Sequence, residues 1–189
     1  MFFSNITRGS LISIYGFSSK EVADLLALSA ASRGWRCLLL TSEVVELEIK
    51  NMKKCLGELI ILECTRKKEL LQALTQGVVR CLDILILDSL ENYFETTHLT
   101  AKEARSISSL LKRLRVLADS SNVAVIVACN AKSKKLKLIL RWWSKATIEL
   151  QDLGIKNHVL AIIRGKGKRK MFELKLGRKL KRVGFFSLT

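Results

Sequence analysis

Two uninterrupted apolar runs, Leu82-Asp-Ile-Leu-Ile-Leu-Asp88 and Val123-Ala-Val-Ile-Val-Ala-Cys129, organise the hydrophobic pattern of this chain. A strand that faces water on one side alternates apolar and polar residues, whereas a parallel strand covered on both faces is apolar throughout. Similar runs at 11–15, 36–41 and 58–64 predict three further strands. Between them the apolar spacing changes to three and four. Val22, Leu25, Leu26 and Leu28 predict a helix over 20–33 with Gly34 as its C-cap, and a short helix at 45–54 bridges the second and third strands. Helices are also expected at 67–79 and at 101–120, the latter through Ile107, Leu110, Leu111, Leu114 and Leu117. Such alternation builds right-handed βαβ units and a doubly wound sheet, with 82–88 expected at its centre. After Asn130 the pattern becomes strands with short connections, at 136–140, 146–150, 158–163, 170–176 and 182–188. The glycine-containing runs at 165–170 and 176–181 read as hairpin tips, so an antiparallel extension should follow the parallel sheet. All 189 residues fit one α/β domain.

The most distinctive local chemistry lies between Gly9 and Leu28. An apolar run ending in Gly16, a short polar turn with Lys20, and an amphipathic helix form the strand–turn–helix setting in which a P-loop cradles phosphates. A working loop reads G-x-x-x-x-G-K-S/T, so that successive N–H groups wrap the phosphate, the lysine reaches its outer oxygens and the hydroxyl holds Mg²⁺. Only Phe17, Ser18 and Ser19 separate Gly16 from Lys20, and Glu21 stands where the hydroxyl belongs. Losing about three charge-assisted contacts of roughly 1.5 kcal/mol each weakens binding about a thousandfold. Gly16, Ser18, Ser19 and Lys20 are therefore a degenerate nucleotide site, and neither ATP nor Mg²⁺ is expected as a cofactor.

Charge adds a second theme. Residues 1–100 hold 11 Lys and Arg against 12 Asp and Glu, and residues 101–189 hold 22 against 5, a net of −1 against +17. So lopsided a chain is expected to present a basic surface to a polyanion. Three runs carry 11 cations and no acid: Lys132, Lys134, Lys135 and Lys137; Lys166, Lys168, Arg169 and Lys170; and Arg178, Lys179 and Lys181. These are the candidate DNA-binding residues, for single- or double-stranded DNA. Trp142 and Trp143, read as neighbours on a strand, could place at most one ring in a groove, and inward packing is the favoured reading. The five cysteines have no C-x-x-C spacing, and Cys37, Cys64 and Cys129 fall in apolar runs, so they read as buried thiols, with no metal site. With no apolar run long enough to span a bilayer and no secretion signal at Met1-Phe-Phe, a cytoplasmic protein without a membrane partner is expected.

These residues together resemble the core ATPase domain of the RecA/RadA recombinase family, particularly the archaeal RadA paralogues, over nearly the whole chain. Arg8-Gly-Ser-Leu-Ile-Ser-Ile-Tyr-Gly16 looks like the lead into Walker A, and residues 82–89 look like Walker B, with Asp88 on the magnesium side. Glu43, in Leu40-Thr-Ser-Glu, matches the catalytic glutamate, residues 127–130 match the switch strand, and 140–150 resemble the segment before the final strands. The resemblance implies a RecA-like three-layer α/β/α P-loop NTPase core, mostly parallel, with a C-terminal antiparallel extension. It departs from the family at Walker A and at Ala131, where many members place a glutamine that senses the γ-phosphate. Set against that family, the sequence opens directly on the core, so the N-terminal DNA-binding domain and the filament-linking segment are expected to be missing. The function implied is that of a non-catalytic paralogue that binds DNA and assists or regulates recombination and repair, with a RadA-type recombinase as a partner. Alternatives are a residual nucleotide-binding ATPase of RecA-like or KaiC-like regulatory type, and an adaptor docking on a recombinase. Asp88 and Glu43 are at most vestigial, with Asp88 expected to face solvent at a turn, and the chain is expected to be a monomer or small oligomer.

Overall fold

The computed structural model describes residues 6–42, 57–75, 81–165, 167–176 and, for the backbone, 181–186. Its core is a single sheet of nine strands in the order β3-β2-β4-β5-β1-β6-β7-β8-β9. The first six positions are parallel: β3 (Leu59–Glu63), β2 (Cys37–Thr41), β4 (Ile84–Leu87), β5 (Ala124–Cys129), β1 (Ser10–Gly16) and β6 (Ala146–Asp152). From β6 the sheet continues antiparallel through β7 (His158–Gly165), β8 (Lys168–Lys175) and β9 (Lys181–Phe186). This is the mixed α/β, RecA-like architecture expected. The run at 82–88 is not the middle strand. That place belongs to β1, which pairs with β5 on one side and β6 on the other.

Alternation along β1 divides the two layers. Ile12 and Ile14 point to one core, where helix α1 (Ser19–Ala31) packs Val22, Ala23, Leu26, Ala27 and Ala30. Leu11 and Tyr15 point to the other, filled by Leu70 of α2 (Lys67–Ala73), Ile107, Leu110, Leu111 and Leu114 of α3 (Ala101–Ser121), and Leu136 and Leu140 of α4 (Lys134–Trp143). The four buried alanines of α1, Ala23, Ala27, Ala30 and Ala31, keep its sheet-facing side small, and Gly34, at φ 89°, turns the chain away by donating its N–H to Ala31 O. Helix α3 begins in a capping box, with Thr100 Oγ1 accepting from Glu103 N at 3.2 Å and Glu103 Oε2 accepting from Thr100 Oγ1 at 2.8 Å. It ends at Asn122 in the left-handed region.

Two elements differ from expectation. Residues 136–140 form part of a helix and not a strand, because Leu136, Ile139, Leu140 and Trp143 recur at three and four, and that face meets the core. The hairpin after β7 is tighter than expected: Gly165 pairs directly with Lys168, so Lys168, Arg169 and Lys170 lie within β8 and not in its tip. The expected helix at 67–79 is seen over Lys67–Ala73. The expected helix at 45–54, Glu43, Cys55, Lys166, Arg178 and Lys179 lie outside the described residues.

Candidate nucleic-acid interface

The junction between β1 and α1 is a two-residue turn, Phe17 and Ser18, with Ser18 in the left-handed region at φ 54°. Phe17 N donates to Leu150 O of β6 at 3.2 Å, and Ser18 O accepts from Val22 N at 3.0 Å. Gly16, at φ 110°, is held so close to β6 that a Cβ there would lie 2.2 Å from Leu150 O. Its glycine is thus demanded by sheet packing. Ser19 is buried, and Ser18 and Lys20 are partly exposed at the first turn of α1. The Phe17 N–H is thus bonded to the neighbouring strand and does not point to the space beyond the turn.

At the same end of the sheet Asp88 closes β4. Its N–H extends the ladder to Leu40 O at 3.1 Å, and the residue is 1% exposed, so it does not face solvent as expected. The 3₁₀ turn Leu90–Asn92 follows it, and Tyr93 Oη donates to Cys64 O at 2.7 Å. Burial pushes the Tyr93 hydroxyl well above its ordinary pKa, with Cys64 and Asp88 adding to the shift. Glu91 Oε1 accepts from Asn130 N at 3.1 Å, and Ala131 is buried, which ties the end of β5 to the turn after β4.

The basic residues form a band along α4 and the adjoining sheet. Lys132 precedes α4, and Lys134 and Lys135 stand exposed in its first turn, where no acid is present. Cations at a helix N-terminus oppose the macrodipole, and Ser133 supplies no side-chain cap. Further along, Lys137, Arg141 and Arg164 of β7 surround one carboxylate, Glu149 of β6, at 3.2, 3.6 and 3.2 Å. Arg141 Nε donates to Tyr15 Oη at 3.0 Å, and Lys137 lies over the same ring at 5.5 Å. Lys137 is therefore a buttressed residue and not a loop lysine. The register places Arg169 opposite Arg164, on the face that carries Glu149, while alternation turns Lys168 and Lys170 to the other face. The first two basic runs are thus not joined in one loop cluster. They lie toward opposite ends of α4, a helix about 15 Å long, with the Glu149 cluster between. Lys181 is in β9.

The Glu149 cluster was not foreseen. An acid flanked by Ile148 and Leu150 in an otherwise cationic half was the available signal. Trp142 also reverses expectation: on a helix it points away from the core and is 81% exposed, while Trp143 packs partly against the core. Among the described residues no group of three or more His, Cys, Asp or Glu could hold a metal, and no helix is long and apolar enough to cross a membrane.

No protein-family profile matches this sequence, and neither does any curated protein. Among solved structures, one described as the crystal structure of the RadB recombinase is similar with a TM-score of 0.74 and 16% identity, over 94% of this chain and 92% of that one. At that identity the likeness establishes the fold alone: the chain is a RecA-like α/β core.

Proposed function

We propose that this chain is a non-catalytic RecA-like paralogue that binds DNA through the α4 band and assists or regulates a RadA-type recombinase in recombination and repair. The observation that carries the non-catalytic part is the short β1–α1 turn, in which Gly16 packs against Leu150 O and the Phe17 N–H is bonded to it. DNA is supported by Lys134 and Lys135 at an uncapped helix N-terminus and by a band in which three cations share one carboxylate. The RadB recombinase neighbour is what suggests recombination. Cytoplasmic location and a monomer or small oligomer accompany this reading.

ATP and DNA titrations on one preparation test it. Duplex affinity should fall with salt at a log–log slope near −5, from roughly −0.9 per phosphate contact. Replacing Lys132, Lys134, Lys135 and Arg169, the exposed cations on the α4 side, by Ala should flatten that slope by about 3 to 4 units with little change in melting temperature. An unchanged slope would hand the basic band to a protein partner. The burial of Asp88 at the end of β4 favours one second reading, a residual nucleotide site. Micromolar ATP affinity abolished by Asp88→Ala would establish it in place of the first.

A further inference from the structure

We infer that α4 is a stacking platform for single-stranded nucleic acid, with Trp142 as the base-contacting ring. This rests on the reading that the basic band meets phosphates and names the strand form it takes. Trp142 is 81% exposed and Leu138, one helical turn before it, is 63% exposed. At a spacing of four these two side chains are neighbours on the outer face, and Lys134 extends the same row by another turn. Arg141 lies beside them at a spacing of three from Leu138, and Lys135 flanks the other side. Lys145 follows the helix, and its carbonyl oxygen lies 3.2 Å from where a Cβ on Gly165 would sit, so the β7–β8 hairpin meets the same end.

The surroundings select the occupant. No acidic residue occurs between Asp119 and Glu149, so every charge carried by α4 is positive, and the Glu149 carboxylate that Arg141 meets is shared among three cations. A ring and an aliphatic side chain set among cations match a ligand that offers a flat apolar face and an anionic chain together. Single-stranded nucleic acid does so at every residue, whereas a duplex hides its base faces in the stack. The contact is indifferent to base identity, because every base has a π-face.

Fluorescence anisotropy on the full chain tests this with a thymidine 20-mer, an abasic phosphodiester of equal length and a duplex. Trp142→Ala should weaken thymidine 20-mer binding roughly tenfold, and Trp142→Phe should retain most of it. Both variants should leave the abasic strand, the duplex and the salt slope unmoved, since no charge is removed. Wild-type affinity of Trp142→Ala for the thymidine 20-mer, with all three strands still bound, would overturn stacking while leaving the phosphate band standing. Failure of the wild type to bind any strand would remove both. Loss of binding to anionic vesicles or to a polyglutamate peptide in Trp142→Ala, with thymidine binding intact, would also overturn stacking and assign the row to that partner. If Trp142→Ala melts early, the comparison of Trp142→Phe with Trp142→Leu decides the same question.

Discussion

Glu149→Gln should lower stability and strengthen DNA binding at once, because one carboxylate restrains three cations that the proposed function would otherwise use. Glu149 is 12% exposed, while Lys137, Arg141 and Arg164 are 29%, 38% and 38% exposed, so the cluster is neither dry nor fully solvated. Arg141 at 3.6 Å is beyond a good hydrogen bond and is held by Tyr15 Oη instead, which leaves two charge-assisted bonds at 3.2 Å. Each contributes about 1 kcal/mol once its exposure is discounted, and the Gln carbonyl retains part of one. The expected loss is about 1.5 kcal/mol, a fall of roughly 3 to 6 °C in melting temperature for a chain of this length. Salt at about 1 M should shrink that difference, since the cluster is partly open to solvent. On duplex DNA the released cations should steepen the salt slope by up to about one unit and raise affinity at low salt. Melting by circular dichroism and anisotropy on the same variant provide both readouts. A variant with wild-type melting temperature would refute the claim that Glu149 organises this corner; unchanged DNA affinity alongside a lowered melting temperature would show that the band meets no phosphate here.

The remaining predictions concern the turn and the thiols. Gly16→Ala combines a left-handed φ with a 2.2 Å approach to Leu150 O, so it should cost about 3 to 5 kcal/mol, whereas Gly167→Ala, in open space at φ 73°, should cost only about 1. Chemical denaturation compares the two, and equal losses would mean that the turn is not seated on β6. Iodoacetamide at pH 8 should alkylate exposed Cys81 in the native protein and spare Cys37, Cys64 and Cys129 until denaturant is added. Burial raises the Cys37 thiol to about 12 and pushes Cys129 well above its ordinary range, so both stay protonated and unreactive at the pH of the assay. Mass spectrometry reads this directly, and modification of Cys37 as fast as Cys81 would show β2 opening.

The parallel half was legible because burial on both faces leaves an apolar run with no competing interpretation, as at 84–87 and 124–129. Residues 136–140 were not: Leu-Lys-Leu-Ile-Leu alternates over its first three positions and fits a strand as well as a helix, and only contact with α3 and β1 decides between them. The helical period also decides which tryptophan is which, with Trp142 outward and Trp143 against the core. The short spacing from Gly16 to Lys20 could be read from the sequence, but the packing that demands glycine at 16 could not, since it lies in Leu150, far away in sequence. Asp88 was placed in solvent because its burial beside β2, with its N–H on Leu40 O, depends on residues far away in sequence. The Glu149 cluster joins α4, β6 and β7, and no window of sequence contains all of its members.

The central position of β1 has a consequence for how the chain is made. Ser10 pairs with Ala124 and Ile12 with Ala146, so the first strand to leave the ribosome has no neighbour until roughly 110 to 130 more residues have been synthesised. At about 5 to 20 residues per second that interval is roughly 6 to 25 s, during which Leu-Ile-Ser-Ile-Tyr is an unpaired, aggregation-competent segment. Helix α1 can screen only one of its faces in the meantime. The hairpin of β7 and β8, made late, closes on local contacts alone, so a late strand pairs at once while β1 waits longest for its partners.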